Sequence, residues 1–286
     1  MIKKNVEISN PDKILFPKSG ITKHNIITYY QNIADHLLPF MHNRPLTMHR
    51  FPNGIDHEGF YQKNAPDFFP SWIKTIPIAK KNGEITHYIV CENIETLTCL
   101  ANSACITPHL WLSTIDKLQQ PDRLIFDLDP SSNDFDLVKN IAHNLKKLLE
   151  ELGLTPYLMA TGSRGLHVIV HINQRDNFDT VREFAHKCSY ILEHDSPQHV
   201  TLDIRKDKRG KKVFIDTLRN SFGATAVAPY AVRAREHAPV ATPLYWEELA
   251  DRTLRSDMFT ITTIFDKITY DGNPWKTFHG TKNQLT

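Results

Sequence analysis

Apolar residues along the 286-residue chain recur at two periods, and each period predicts its own element. Ile26, Ile27, Tyr30, Ile33, Ala34 and Leu37 are spaced like one face of a helix, with Thr22 placed to cap its start and Pro39 near its end. Leu97, Leu100, Ala101 and Ala104 mark a second helix. Leu137, Ile141, Leu145, Leu148 and Leu152 mark a third, closed by Gly153 where a helix C-terminus favours glycine. Val181, Phe184, Ala185, Cys188, Ile191 and Leu192 line one face of a fourth. Shorter apolar runs at 87–91, 123–129, 155–161, 166–172 and the segment ending at Asp216 predict strands. A stretch rich in proline and aromatic residues, from Arg50-Phe51-Pro52-Asn53-Gly54 to Phe68-Phe69-Pro70-Ser71-Trp72, predicts short strands between turns, and a helical stretch follows Trp246. The mixture predicts a single α/β (α+β) domain. Its core, residues 116–286, has mixed sheets flanked by helices, and residues 1–115 form a helical, loop-rich N-terminal part.

Composition narrows the class. With 41% hydrophobic and 23% charged residues the chain is an ordinary globular sequence, not a disordered one. No apolar run approaches the roughly 18 residues of a membrane span, and the start, Met1-Ile2-Lys3-Lys4-Asn5, lacks the apolar core of a signal peptide. A cytoplasmic protein with no membrane partner is expected. Cys91, Cys99, Cys105 and Cys188 include no Cys-x-x-Cys pair and read as reduced core residues. The histidines show no metal-binding spacing such as His-Glu-x-x-His. Net charge is only +2, yet Arg205, Lys206, Lys208, Arg209, Lys211 and Lys212 crowd around Gly210, followed by Arg219, Arg233 and Arg235. Such a run is either a solvated loop or a track for polyphosphate or nucleic acid.

The chemistry centres on Asp127-Leu128-Asp129, at the end of the apolar run Arg123-Leu124-Ile125-Phe126. Side chains alternate along a strand, so Asp127 and Asp129 share a face and repel. A divalent cation relieves that repulsion. A third carboxylate, from Val213-Phe214-Ile215-Asp216, would let the site hold two ions, the usual arrangement for nucleotidyl transfer. The bland alternative is a strand that ends in the good turn sequence Asp129-Pro130-Ser131-Ser132-Asn133. Haloacid-dehalogenase-type phosphatases and metal-dependent glycosyltransferases also use Asp-x-Asp, and a DNA-end-binding module with a degenerate site is the non-enzymatic alternative. The Gly162/Gly165 turn would let backbone N–H groups approach phosphate oxygens, and it is equally compatible with an ordinary hairpin.

Taken together, Asp127-Leu128-Asp129-Pro130, Thr161-Gly162-Ser163-Arg164-Gly165-Leu166-His167 and Val213-Phe214-Ile215-Asp216 resemble, in order and spacing, the three motifs of the archaeo-eukaryotic primase superfamily. The polymerase domain of bacterial DNA ligase D is the nearest match. Ser9-Asn10-Pro11-Asp12-Lys13-Ile14-Leu15-Phe16-Pro17, Arg50-Phe51-Pro52-Asn53-Gly54 and the segment from Ala226 to Arg235 agree with it, so the resemblance covers nearly the whole chain.

The resemblance implies a template-dependent nucleotidyltransferase that fills gaps and extends ends in non-homologous end joining, often favouring ribonucleotides, with two divalent cations (Mn²⁺ or Mg²⁺). It implies Asp127, Asp129 and Asp216 as catalytic metal ligands. His109, Thr161, Ser163, Arg164, His167 and Arg219 are implied as nucleotide contacts. Asn10, Lys13 and Lys23 would hold a 5′-phosphate of the downstream DNA strand, and Phe60 and Tyr61 would stack on template bases. Because Phe60 and Tyr61 alternate across a strand, one is expected to face a base and the other the core. Lys23 is expected to begin the first helix, where its ammonium and free helical N–H groups would converge on the phosphate. Implied partners are DNA ends or gapped duplex, nucleoside triphosphates, the end-binding protein Ku and a separate DNA ligase, with a nucleoid-associated location. Thr161 stands where Ser is common, Arg164 where Lys is common, and Phe222 where a basic residue is common. No ligase or nuclease segment accompanies these motifs, so the polymerase is expected either to act with a separate ligase or to be a piece of a longer protein.

Overall fold

A computed structural model describes residues 6–80 and 82–285; the polar start, residues 1–5, lies outside the described residues. The chain forms two compact units. The first contains residues up to Trp111 together with Thr225–Ala241 and Thr260–Ile264, and the second contains Leu112–Ala224, Thr242–Phe259 and Phe265–Thr286.

In the first unit a two-stranded ribbon, β1 (Ile14–Phe16) and β2 (Ile21–Thr22), leads into α1 (Lys23–Asn32) and α2 (Ala34–Met41). The helical spacing seen in the sequence is therefore two helices. The break falls at Ile33, whose backbone serves as the C-cap of one and the N-cap of the other, while Pro39 sits inside α2. Thr22 does cap α1, in a reciprocal capping box with Asn25. Next come β3 (Pro45–Arg50), β4 (Phe60–Gln62), β5 (Thr75–Ala79), β6 (Ile85–Val90), α3 (Ile94–Asn102) and β7 (Cys105–Trp111). Ala104 belongs to no helix. It takes a left-handed backbone, φ 58°, that turns the chain from α3 into β7.

The second unit is built on β8 (Arg123–Pro130), followed by α4 (Phe135–Glu151), β9 (Pro156–Ala160), β10 (Leu166–His171), α5 (Phe178–Asp195), β11 (Val200–Thr201) and β12 (Val213–Asp216). The chain then returns to the first unit as β13 (Thr225–Val227), which pairs with β7 and gives the strand order β13-β7-β3-β6-β5 with β4 on β3. The division is thus not the sequential 115/116 boundary read from the sequence, because this pairing draws residues 225–241 back into the first unit. β14 (Thr242–Leu244) pairs with β9 and completes the second sheet, β11-β12-β8-β10-β9-β14; α6 (Ile264–Asp271) follows. All the pairings in this sheet are antiparallel except β11 with β12.

Alternation along β8 decides where the chemistry goes. Leu124, Phe126 and Leu128 enter one apolar core with Val168 and Val170 of β10, Val213 and Ile215 of β12, and buried residues of α4 and α5. Asp127 and Asp129 therefore project from the opposite face. The expected helical stripes of α4 and α5 face this core except at Leu152 and Ile191. In α4 the buried residues include Phe135, Val138, Ile141, Ala142, Leu145 and Leu149, whereas Leu152 is exposed. In α5 Leu192 is buried and Ile191 exposed. All four cysteines are buried and free, as expected. Among the described residues no helix is long and apolar enough to cross a membrane.

Gly165 is a close-approach position. A Cβ there would overlap the carbonyl oxygen of Leu128, between the two aspartates. Gly165→Ala should therefore push β10 off β8 and destabilise the fold by about 1–3 kcal/mol or more, seen as a lower urea midpoint. An unchanged midpoint would show that the turn can shift freely.

Candidate active site

Register brings the charged groups together. In the β12–β8 ladder Asp216 lies opposite Asp127, and in the β10–β8 ladder His167 lies opposite the same residue. Asp127 is thus flanked on both sides and is only 5% exposed. Its Oδ1 lies 3.3 Å from Nε2 of His167, and its Oδ2 accepts from Nε of Arg219 at 3.2 Å. The same Nε lies 3.6 Å from Oδ2 of Asp216, whose Oδ1 accepts the Leu218 N–H at 2.8 Å. Arg219 is aimed by its neighbour. Asn220, fully buried, accepts the Ile125 N–H at 2.9 Å and donates to the Ile125 carbonyl at 2.7 Å, clamping the 3₁₀ turn Leu218–Asn220 onto β8. Sequence reasoning passed over Asn220; an amide directly after a candidate cation was the only signal.

Electrostatics split the two aspartates of β8. Burial would raise the carboxyl of Asp127, but the charge and hydrogen bond of His167 and the guanidinium of Arg219 overcome it, so Asp127 is held well below the usual carboxylate range. Asp129 goes the other way. Burial and then the charge of Asp127 raise it, against weaker opposition from His167, Arg219 and Arg164. The donor chemistry suits a hard divalent cation, which needs oxygen ligands and would favour the ionised form of Asp129. Among the described residues, however, no group of three or more His, Cys, Asp or Glu forms a ready coordination cage. Arg219 supplies the balancing charge between Asp127 and Asp216. The buried Nδ1 of His167 has no hydrogen-bond partner among the described residues.

The glycine turn is bolted from an unexpected quarter. Ser256 donates to the Gly165 carbonyl at 2.6 Å, meets the Thr161 hydroxyl at 3.2 Å and accepts the Gly162 N–H on its own carbonyl at 3.0 Å. Thr161, buried, also donates to the Gly165 carbonyl, so its hydroxyl proton is engaged inside the protein rather than offered outward. Ser163 and Arg164 line a cavity of about 180 Å³ together with Ser132, Asn133 and Arg255. In the basic run Arg205 pairs with Asp207, and Arg209 stacks on Phe214 at 3.6 Å while donating to two backbone carbonyls. Lys206, Lys208 and Lys211 stay exposed.

Six of the residues singled out lie in the first unit. His109, in β7, is buried, with its ring 5.5 Å from that of Tyr61. Phe60 and Tyr61, in β4 on β3, are both exposed, at 44% and 59%, so neither fills the core. Tyr61 stacks on His49 at 4.1 Å. Asn10, Lys13 and Lys23 line a cavity of about 250 Å³ with Ser9, Arg50 and Asn102. Lys23 is only 5% exposed; its ammonium donates to Ser9 Oγ and to both oxygens of Asn102. Burial, and then the nearby charge of Lys13, lower its pKa, a strain that a bound anion would relieve. The free N–H groups expected at the start of α1 are not free. Lys23 N–H donates to Lys13 O, His24 N–H to Pro11 O and Asn25 N–H to Thr22 Oγ1, so an anion there would be held by side chains.

Similarity to known proteins covers nearly the whole chain. The family described as LigD, primase-polymerase domain matches residues 22–275. The bifunctional non-homologous end joining protein LigD of Bacillus subtilis is 33% identical over 96% of this chain and 44% of its own length. The multifunctional LigD of Mycolicibacterium smegmatis is 34% identical over 87% of this chain and 33% of its own length. The chain therefore spans less than half the length of these relatives. The solved polymerase domain of Mycobacterium tuberculosis Ligase D, in complex with DNA, superposes with a TM-score of 0.91 at 28% identity, covering 98% of this chain and 100% of that one. The fold is that of a LigD polymerase domain. The chain belongs to the LigD primase-polymerase family. Membership removes the phosphatase and glycosyltransferase readings of Asp-x-Asp.

The opposite shifts of the two aspartates can be tested with metal chelated. The raised Asp129 weakens the fold as pH rises through its folded pKa, so Asp129→Asn should raise the Tm at neutral pH and lose that advantage below the carboxylate range. The depressed Asp127 contributes stability above its unfolded pKa. Asp127→Asn should cost about 1.5–3 kcal/mol at neutral pH, a deficit that shrinks as pH falls through the folded value. Equal Tm shifts of the same sign would refute the asymmetry.

Proposed function

We propose that the chain is a template-directed nucleotidyltransferase that fills gaps and extends DNA ends in non-homologous end joining. The observation that carries this reading is the register pairing of Asp216 with Asp127, with Asp129 two residues along the same face and His167 on the other ladder. Asp127, Asp129 and Asp216 would hold divalent cations, two being expected and Mn²⁺ or Mg²⁺ suiting the oxygen donors. Such ions would supply Lewis acidity toward a primer 3′-hydroxyl and charge to offset that of pyrophosphate.

The chain's own residues do the placing. His167, anchored through Nε2 to Asp127, keeps its buried Nδ1 for the nucleotide. Arg219, Arg164 and Ser163 supply cationic and hydroxyl contacts to the triphosphate, and Thr161 acts by shaping the turn that carries them. His109 is assigned to the incoming nucleotide, and Phe60 and Tyr61, both exposed, to template bases. Lys13, Lys23 and Asn10 are assigned to a 5′-phosphate of the downstream strand. Preference for ribonucleotides, association with Ku and a separate ligase, and location at the nucleoid belong to the same proposal.

Templated extension on a gapped, 5′-phosphorylated duplex with Mn²⁺ and labelled nucleotides tests it. Asp127→Ala, Asp129→Ala and Asp216→Ala should each abolish addition while leaving DNA binding largely intact, and Thr161→Val should lower extension with ribo- and deoxyribonucleotides alike. Binding without any extension by the unaltered protein would leave only an end-binding module.

End sensing has its own readout. By fluorescence anisotropy, Lys13→Ala/Lys23→Ala should weaken binding to a 5′-phosphorylated gapped duplex and scarcely alter binding to its 5′-hydroxyl counterpart. The wild-type preference should shrink as salt rises. Equal wild-type binding to both duplexes at low salt would remove the assignment.

A further inference from the structure

Phe68 is 68% exposed, which for a lone aromatic is unremarked surface. Two observations set it apart. First, it lines the same cavity as Lys13, buried Lys23 and Arg50. Second, its ring lies against a fixed cation. The Arg50 guanidinium lies 5.7 Å from the Phe68 ring centroid and 5.5 Å from that of Phe60. Arg50 itself cannot swing away, because Nε donates to the Ser103 carbonyl at 2.8 Å and Nη1 to Gln62 Oε1 at 2.6 Å. The Phe69 ring meets Phe68 edge-on at 5.3 Å and supports it from the next position.

A solvent-facing ring that lines a basic cavity and lies beside a fixed guanidinium has the makings of a nucleobase platform, since bases stack on aromatic faces wherever cationic side chains hold the adjoining phosphate. We propose that Phe68 stacks on the terminal base of a 5′-phosphorylated strand whose phosphate enters the Lys13/Lys23 cavity. Phe60 shares the same guanidinium but does not line that cavity, which separates its assigned role on the template from that of Phe68. Phe68 is thus a positioning residue: the phosphate fixes one point of the downstream strand, and the ring fixes the plane of its first base. The inference rests on the end-phosphate reading above and adds the base to it.

A gapped duplex carrying 5′-phosphorylated 2-aminopurine as the first downstream nucleotide reports stacking by its fluorescence. The wild-type protein should quench it. Phe68→Ala should lose most of the quenching and bind about tenfold more weakly, while still preferring the 5′-phosphate over the 5′-hydroxyl. Phe68→Trp should restore both quenching and affinity. A duplex with an abasic first nucleotide should bind wild type and Phe68→Ala alike. Quenching by Phe68→Ala equal to wild type overturns the stacking role. Equal wild-type binding to phosphorylated and hydroxyl ends overturns the phosphate role instead, so the two failures are told apart.

Discussion

Three carboxylates and a central strand that must still fold make a problem of charge, and much of the second unit is arranged around it. Asp127 is buried between two ladder partners, one of them another aspartate. An ionised carboxylate in that position is tolerable only with compensating hydrogen bonds and opposite charge. His167 and Arg219 supply both. Asp129 receives less of that compensation and bears the repulsion, which leaves the strand with one firmly ionised and one reluctant carboxylate. A cation held there would relieve the repulsion that Asp129 bears.

Backbone proximity is the second requirement. The strands that carry Asp127 and His167 approach so closely at Gly165 that no side chain fits against the Leu128 carbonyl. The turn before it is then fixed by Ser256, from a segment far along the chain, and β8 is held on its other edge by Asn220. These polar groups are buried and paired, so they cost little and fix the geometry. Their contribution is to orient Arg219 and the Thr161–Gly165 turn rather than to touch a substrate.

The first unit holds its cations differently. Lys23 reaches its cavity from the start of α1, where the backbone N–H groups are already engaged, so an anion there would be held by ammonium and guanidinium groups. Arg50, which lines that cavity, lies against the exposed rings of Phe60 and Phe68. Charge and aromatic surface are thereby joined through one side chain.

Local pattern alone determined much of this protein. Alternation in 123–129 placed both aspartates on one face, Thr22 and Gly153 marked helix ends, and three motifs in order identified the family. Those are short-range properties, readable from neighbours two to four residues apart. What only the tertiary structure decided involves residues far apart in sequence. The pairing of Asp216 and His167 with Asp127 depends on strand register. The return of β13 to β7 depends on which sheet edge was open, and the burial of Thr161 depends on Ser256 arriving from another segment. The exposure of both Phe60 and Tyr61, against the one-in, one-out expectation, has the same origin, because period alone tells which faces a strand has but not whether either is buried in a core.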